Sequence, residues 1–97
     1  MSSDKYFLNA LAVIFIPEKD KENNYSTIVF NFETENILKI SKIGYEILYL
    51  LDKTPGLSLD QIISRVSQEK HSFQLRDKQD IMKFVEKMVQ ENVIFEN

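Results

Sequence analysis

The stretch Ser26-Thr27-Ile28-Val29-Phe30-Asn31-Phe32-Glu33-Thr34-Glu35-Asn36-Ile37-Leu38-Lys39-Ile40-Ser41 decides the fold. Its first half alternates with a period of two. Ser26, Ile28, Phe30 and Phe32 fall on one face of an extended chain, and Thr27, Val29, Asn31 and Glu33 on the other. The polar run Glu33-Thr34-Glu35-Asn36 reads as a tight turn, and residues 37–40 as a short further strand. At Ser41 the period changes to 3.6. Ser41 has the hydroxyl of a helix N-cap, and Ile43, Ile47, Leu50 and Leu51 follow at i, i+4, i+7 and i+8.

Working outward from that point, residues 7–16 are β-branched, aromatic and aliphatic and stop at Pro17, which predicts one preceding strand. The polar residues 17–25 between the two strands read as an exposed hairpin loop. Downstream, Thr54-Pro55-Gly56 ends the first helix. Ser58-Leu59-Asp60-Gln61 then has the form of a capping box, with Leu57 and Ile62 as its hydrophobic staple, and opens a second helix over about 58–68. A polar loop precedes a third helix over about 77–91, whose Ile81, Phe84, Val85, Met88 and Val89 recur at helical spacing. The apolar tail Val93-Ile94-Phe95 is expected to fold back onto the core. Strands over about 7–16, 26–33 and 37–40 followed by helices over about 41–52, 58–68 and 77–91 predict an α+β chain. It is one domain over residues 1–97, with a three-stranded antiparallel meander and three helices in a winged-helix-like order.

Composition removes several classes of function. Ninety-seven residues make one domain with one modest core, and 43% hydrophobic residues with seven Phe and four Tyr are enough to build it. Without cysteine there is no disulfide, thiolate nucleophile or thiolate metal site. His71, the only histidine, sits in a polar loop and reads as a solvated residue; no metal and no cofactor are expected. A serine triad drawn from Ser58 or Ser67 with His71 has no glycine-rich oxyanion turn to serve it, and two glycines cannot make a phosphate cradle. The chain therefore reads as non-catalytic. The longest apolar run, residues 10–16, is far short of the roughly 20 residues a membrane helix needs, and the N-terminus lacks the layout of a signal peptide, so a cytoplasmic protein without a membrane partner is expected. Net charge is −3, and residues 76–91 balance Arg76, Lys78, Lys83 and Lys87 against Asp77, Asp80, Glu86 and Glu91. A recognition helix of zero net charge has little attraction for phosphates, which argues against nucleic acid.

The pattern resembles a known family. Residues 32–44, from Phe32 through the Glu33-Thr34-Glu35-Asn36 turn to Ser41 and Gly44, are similar to the strand–turn–strand–helix signature of PqqD-like proteins. Ser41 stands where Asn is commoner. Ile47-Leu48-Tyr49-Leu50-Leu51-Asp52, then Leu57-Ser58-Leu59-Asp60-Gln61-Ile62-Ile63, resembles the family's leucine-rich helix, turn and following helix start. Residues 80–89 with Asn92-Val93-Ile94 look like its closing helix and stop, Asn92 replacing the commoner Gly.

The resemblance implies a recognition element for ribosomally synthesised, post-translationally modified peptides. Such a domain binds a precursor's leader by β-strand addition and presents it to a modifying enzyme such as a radical SAM enzyme, a protease or a cyclase. It implies that Glu35, Asn36, Ile37, Leu38, Lys39 and Ile40 pair with the leader. Asp80, Lys83, Phe84 and Lys87 of the third helix would line the groove, with Lys39, Lys83 and Lys87 suiting acidic leader residues and Phe84 or Ile37 an apolar anchor. The apolar stripe of that helix reads otherwise as core, and its charged flank as an ordinary solvated surface. Two rival functions stay in view: a winged-helix DNA-binding regulator and a generic protein–protein adaptor.

Overall fold

The computed structural model describes residues 4–16, 18–19, 21–22, 25–68 and 73–97. His71 lies outside them. The elements run β1 (Tyr6–Leu8), β2 (Ala12–Ile14), β3 (Glu18–Lys19), β4 (Tyr25–Asn31), β5 (Asn36–Ile40), α1 (Lys42–Lys53), α2 (Leu59–Gln68), α3 (Leu75–Gln90) and β6 (Ile94–Glu96). The chain is thus α+β, an antiparallel sheet followed by three helices, with a short closing strand.

Strand β4 is the centre of the sheet. It pairs antiparallel with β2 and β3 along one edge and with β5 along the other. Between Ile14↔Val29 and Glu18↔Ser26 the register advances by one, so the first strand carries one extra residue there, as in a β-bulge. The buried Thr27 hydroxyl donates to the Phe15 carbonyl beside that irregularity.

The sequence predicts one strand over residues 7–16; the structure divides it. The cause is Asn9, whose side chain is buried and substitutes for the ladder. Its Oδ1 accepts from the Leu11 amide at 3.0 Å, its Nδ2 donates to the Asn92 carbonyl at 2.8 Å, and its own carbonyl takes the Ala12 amide at 2.9 Å. Such local bonding by asparagine competes with sheet pairing. Before the break β1 pairs with β6 (Tyr6↔Glu96, Leu8↔Ile94), and after it β2 pairs with β4. The tail thus returns as a strand, with Val93 and Ile94 inside the core.

Capping chemistry sets the helix starts. Ser41 Oγ accepts from the Gly44 amide at 3.2 Å. Ser58 and Gln61 form the reciprocal box, with Gln61 N to Ser58 Oγ at 3.2 Å and Ser58 N to Gln61 Oε1 at 2.9 Å. The third helix begins two residues before the predicted 77, because Asp77 closes the first turn from inside by accepting the Gln74 amide at 3.0 Å. Its end is a full Schellman stop. Asn92 takes φ 59°, its amide donates to the Val89 carbonyl at 3.1 Å, and the Val93 amide donates to Met88 at 2.9 Å.

One contiguous core joins the inner face of the sheet to the helices. Val29 of β4, Ile47, Leu48 and Leu51 of α1, Ile62 of α2, and Ile81, Val85 and Met88 of α3 are almost fully buried in it. At the mouth of that core α1 approaches unusually closely. A β-carbon built on Gly44 would lie 2.6 Å from the Phe84 ring and 3.3 Å from the Ile40 β-carbon. Glycine at 44 is what allows the end of β5, the start of α1 and the middle of α3 to meet.

Candidate functional site

The direction of the β5 backbone follows from the hydrogen bonds of β4. The Phe15 amide donates to the Ile28 carbonyl and the Phe32 amide to the Leu11 carbonyl, each at 2.9 Å. Residues 28 and 32, and with them Phe30, therefore point their peptide groups toward β2. Thr27, Val29 and Asn31 point theirs toward β5, where they face Ile40, Leu38 and Asn36. By the same alternation, Ile37 and Lys39 aim their N–H and C=O groups away from β4. No described strand lies on that side. The edge thus offers two donors and two acceptors in the spacing a further strand requires.

The turn that positions this edge is built by Asn31, fully buried although it is polar. Its Oδ1 accepts from the amides of Glu33 (2.8 Å) and Thr34 (3.3 Å), and its carbonyl from Glu35 (2.7 Å). Its Nδ2 reaches the carbonyls of Glu91 (3.1 Å) and Asn92 (3.2 Å) at the end of α3. One side chain therefore closes the β4–β5 turn and clamps it to the helix opposite the free edge. Glu35 completes the turn in the left-handed region, φ 62°.

The structure divides the sequence-predicted site into two faces. Leu38 and Ile40 face the helices, with Ile40 buried against Gly44 and the half-buried Phe84 ring. Asp80, Lys83 and Lys87 are exposed on α3, and Glu35 and Asn36 are exposed at the turn. Ile37 and Lys39 lie on the other face, beside Phe30 and Ile28. They cannot share a wall with Phe84; what they share with the α3 residues is the edge between the faces. Sequence reasoning missed Asn31, and it missed that the more apolar face of β4, with Ile28 and Phe32, is exposed while Thr27, Val29 and Asn31 face inward. The signal was available in Asn9 and Asn31, polar residues inside otherwise apolar runs.

Two shifted ionisable groups lie in the β1–β6 ribbon. Burial pushes the Tyr6 hydroxyl up, helped by Glu96 and Asp4, and a hydrogen bond with Asp4 raises the Glu96 carboxyl. Neither residue belongs to the edge. Among the described residues no group of His, Asp or Glu could hold a metal ion, and no helix is long and apolar enough to cross a membrane. A cleft of about 180 Å³ between α1 and α2, bordered by Tyr45, Tyr49, Lys53 and Arg65, includes none of the edge residues.

The backbone of this chain is similar to that of a solved structure, TbiB1 in complex with the TbiA(beta) leader peptide. The TM-score is 0.65 over 91% of this chain and 93% of that one, at 11% sequence identity. At that identity the likeness is one of fold. No curated protein matches the sequence. The sequence model of the family described as coenzyme PQQ synthesis protein D (PqqD) matches residues 26–94, from the second residue of β4 to the first residue of β6. That span takes in the free edge, the turn that positions it and all three helices, and the chain belongs to the PqqD family.

Proposed function

We propose that this protein is a peptide carrier. It holds the leader of a ribosomally synthesised precursor peptide as an added strand on β5 and presents the remainder to a modifying enzyme, such as a radical SAM enzyme, a protease or a cyclase. The observation that carries this reading is the pair of outward peptide units at Ile37 and Lys39. An extended peptide satisfies them with main-chain bonds, which give affinity for strands in general, and side-chain contacts then give selectivity. Support comes from the family, from the leader peptide in the complex of the structurally similar TbiB1, and from the composition of the opposite wall. Leader residues opposite Asn36, Leu38 and Ile40 would turn toward α3, where Phe84 offers an apolar floor and Lys83 and Lys87 offer charge to acidic residues. Catalysis is left to the partner, and the protein's own contribution is positioning.

The test is an isotope-edited NMR titration of the protein with synthetic candidate leader peptides. Shifts concentrated in residues 35–40 and 77–91 are expected. A leader whose binding ignores Lys83→Ala and Lys87→Ala would remove the helix from the site. Shifts produced by duplex DNA and by no leader would make the protein a regulator instead.

A further inference from the structure

The outer face of the sheet is apolar and left uncovered by the described residues. Three cross-strand rows run over it: Leu11 beside Phe32, then Val13–Phe30–Ile37, then Phe15–Ile28–Lys39. Leu11, Val13, Phe15, Ile28, Phe32 and Ile37 are each between 39% and 66% exposed, where the solvent face of an antiparallel sheet is ordinarily polar. Phe15, Ile28, Phe30 and Ile37 enclose a shallow, wholly apolar cleft of about 280 Å³.

Two of the rows stop at the free edge. The apolar row ends at Ile37 and the row beside it at Lys39, the same two residues whose peptide groups are free. Residues directly opposite one another on neighbouring strands share a face. Any strand residue that pairs with Ile37 or Lys39 therefore places its side chain on this outer face, not in the groove against α3. Among the described residues no ion pair involves Lys39.

We propose that the outer face reads a two-position code in the bound strand, a bulky apolar side chain beside Ile37 and, two residues away, an acidic side chain beside Lys39. The apolar residue prolongs the Val13–Phe30–Ile37 row and covers the edge of the cleft. The acidic residue neutralises the lysine that closes the next row, and the residue between them faces α3. The spacing of two is fixed by the pleat. The order, apolar first or acidic first, depends on the direction in which the peptide runs. This inference rests on the strand-addition reading and specifies its ligand: an extended segment carrying an apolar and an acidic residue at i and i+2, in either order.

The experiment is a selection of displayed random dodecapeptides on the intact protein and on its Lys39→Glu variant, with enriched peptides checked for amide shifts in β5. The wild-type protein should enrich a bulky apolar residue two positions from Asp or Glu. Lys39→Glu should keep the apolar preference and exchange the acidic residue for Lys or Arg. Ile37→Thr should weaken the wild-type peptides about fivefold. Peptides that shift β5 but show no such pair, or show the same charge preference on both proteins, overturn the code and leave strand addition standing. If no enriched peptide perturbs β5, strand addition itself fails, and the code with it.

Discussion

Replacing Ile37 by proline is expected to abolish leader binding and leave the protein folded, whereas replacing Leu38 by proline is expected to unfold it. The two positions are neighbours on one strand, and their difference is one of direction. The Leu38 peptide faces Val29 and belongs to the β4–β5 ladder. Proline there removes an internal bond and sets its ring against the partner strand, at a cost of about 3 kcal/mol or more. The Ile37 peptide faces away from β4, so proline removes a donor that the fold does not use. An edge strand tolerates proline at such a position. Fixing φ near about −65° strains an extended residue while lowering the entropy of the unfolded chain. The net cost should be about 1 kcal/mol, or a fall of about 4–8 °C in melting temperature for a chain this size. Binding, by contrast, loses a main-chain bond and meets a ring in the path of the added strand. Affinity should fall at least about thirtyfold, the equivalent of about 2 kcal/mol. Calorimetric melting and titration of each variant check both halves.

The second large effect is expected at Asn31. Its fully buried side chain accepts from two turn amides and donates to two carbonyls at the end of α3, in bonds that are each partly buried. Asn31→Leu would leave those amides and carbonyls short of partners, and their partial burial limits how far water can replace the lost bonds. A loss of about 2–4 kcal/mol follows, placing the melting temperature about 10–20 °C lower. Because the same residue shapes the turn before β5, peptide affinity should fall as well, even at temperatures where the variant is folded. Asn31→Asp is the informative partner substitution. It keeps the acceptor to Glu33 and Thr34 but puts an acceptor where Nδ2 faced the carbonyls of Glu91 and Asn92. It should therefore loosen the clamp to α3 while preserving the turn.

Much of this architecture was legible in the sequence because it rests on local rules. The alternation from Ser26 to Phe32, the switch of period at Ser41, the capping box at Ser58 and Gln61, and the left-handed stop at Asn92 each have a cause within a few residues. What the sequence concealed depends on contacts distant along the chain. Asn9 breaks the first strand because the carbonyl of Asn92, far away in sequence, is there to receive it. Alternation shows that β4 has two faces but not which of them the helices cover. That is decided by α1 packing on the face that carries the buried Val29, a tertiary outcome that overrode the greater hydrophobicity of the Ile28–Phe30–Phe32 side. The residues of the candidate site could be named from the resemblance. Their division between a groove and an outer face required the register of β4 against β5.

The most direct test of strand addition is the exchange rate of individual amide hydrogens in β5, measured by NMR on the free protein and on its complex with a leader peptide. In the free protein the Ile37 and Lys39 amides should exchange rapidly, while those of Leu38 and Ile40 are protected by β4. With leader bound, the Ile37 and Lys39 amides should become protected by at least about tenfold, and those of Leu38 and Ile40 should change little. A leader that binds without slowing Ile37 and Lys39, or an edge already protected in the free protein, would contradict the account.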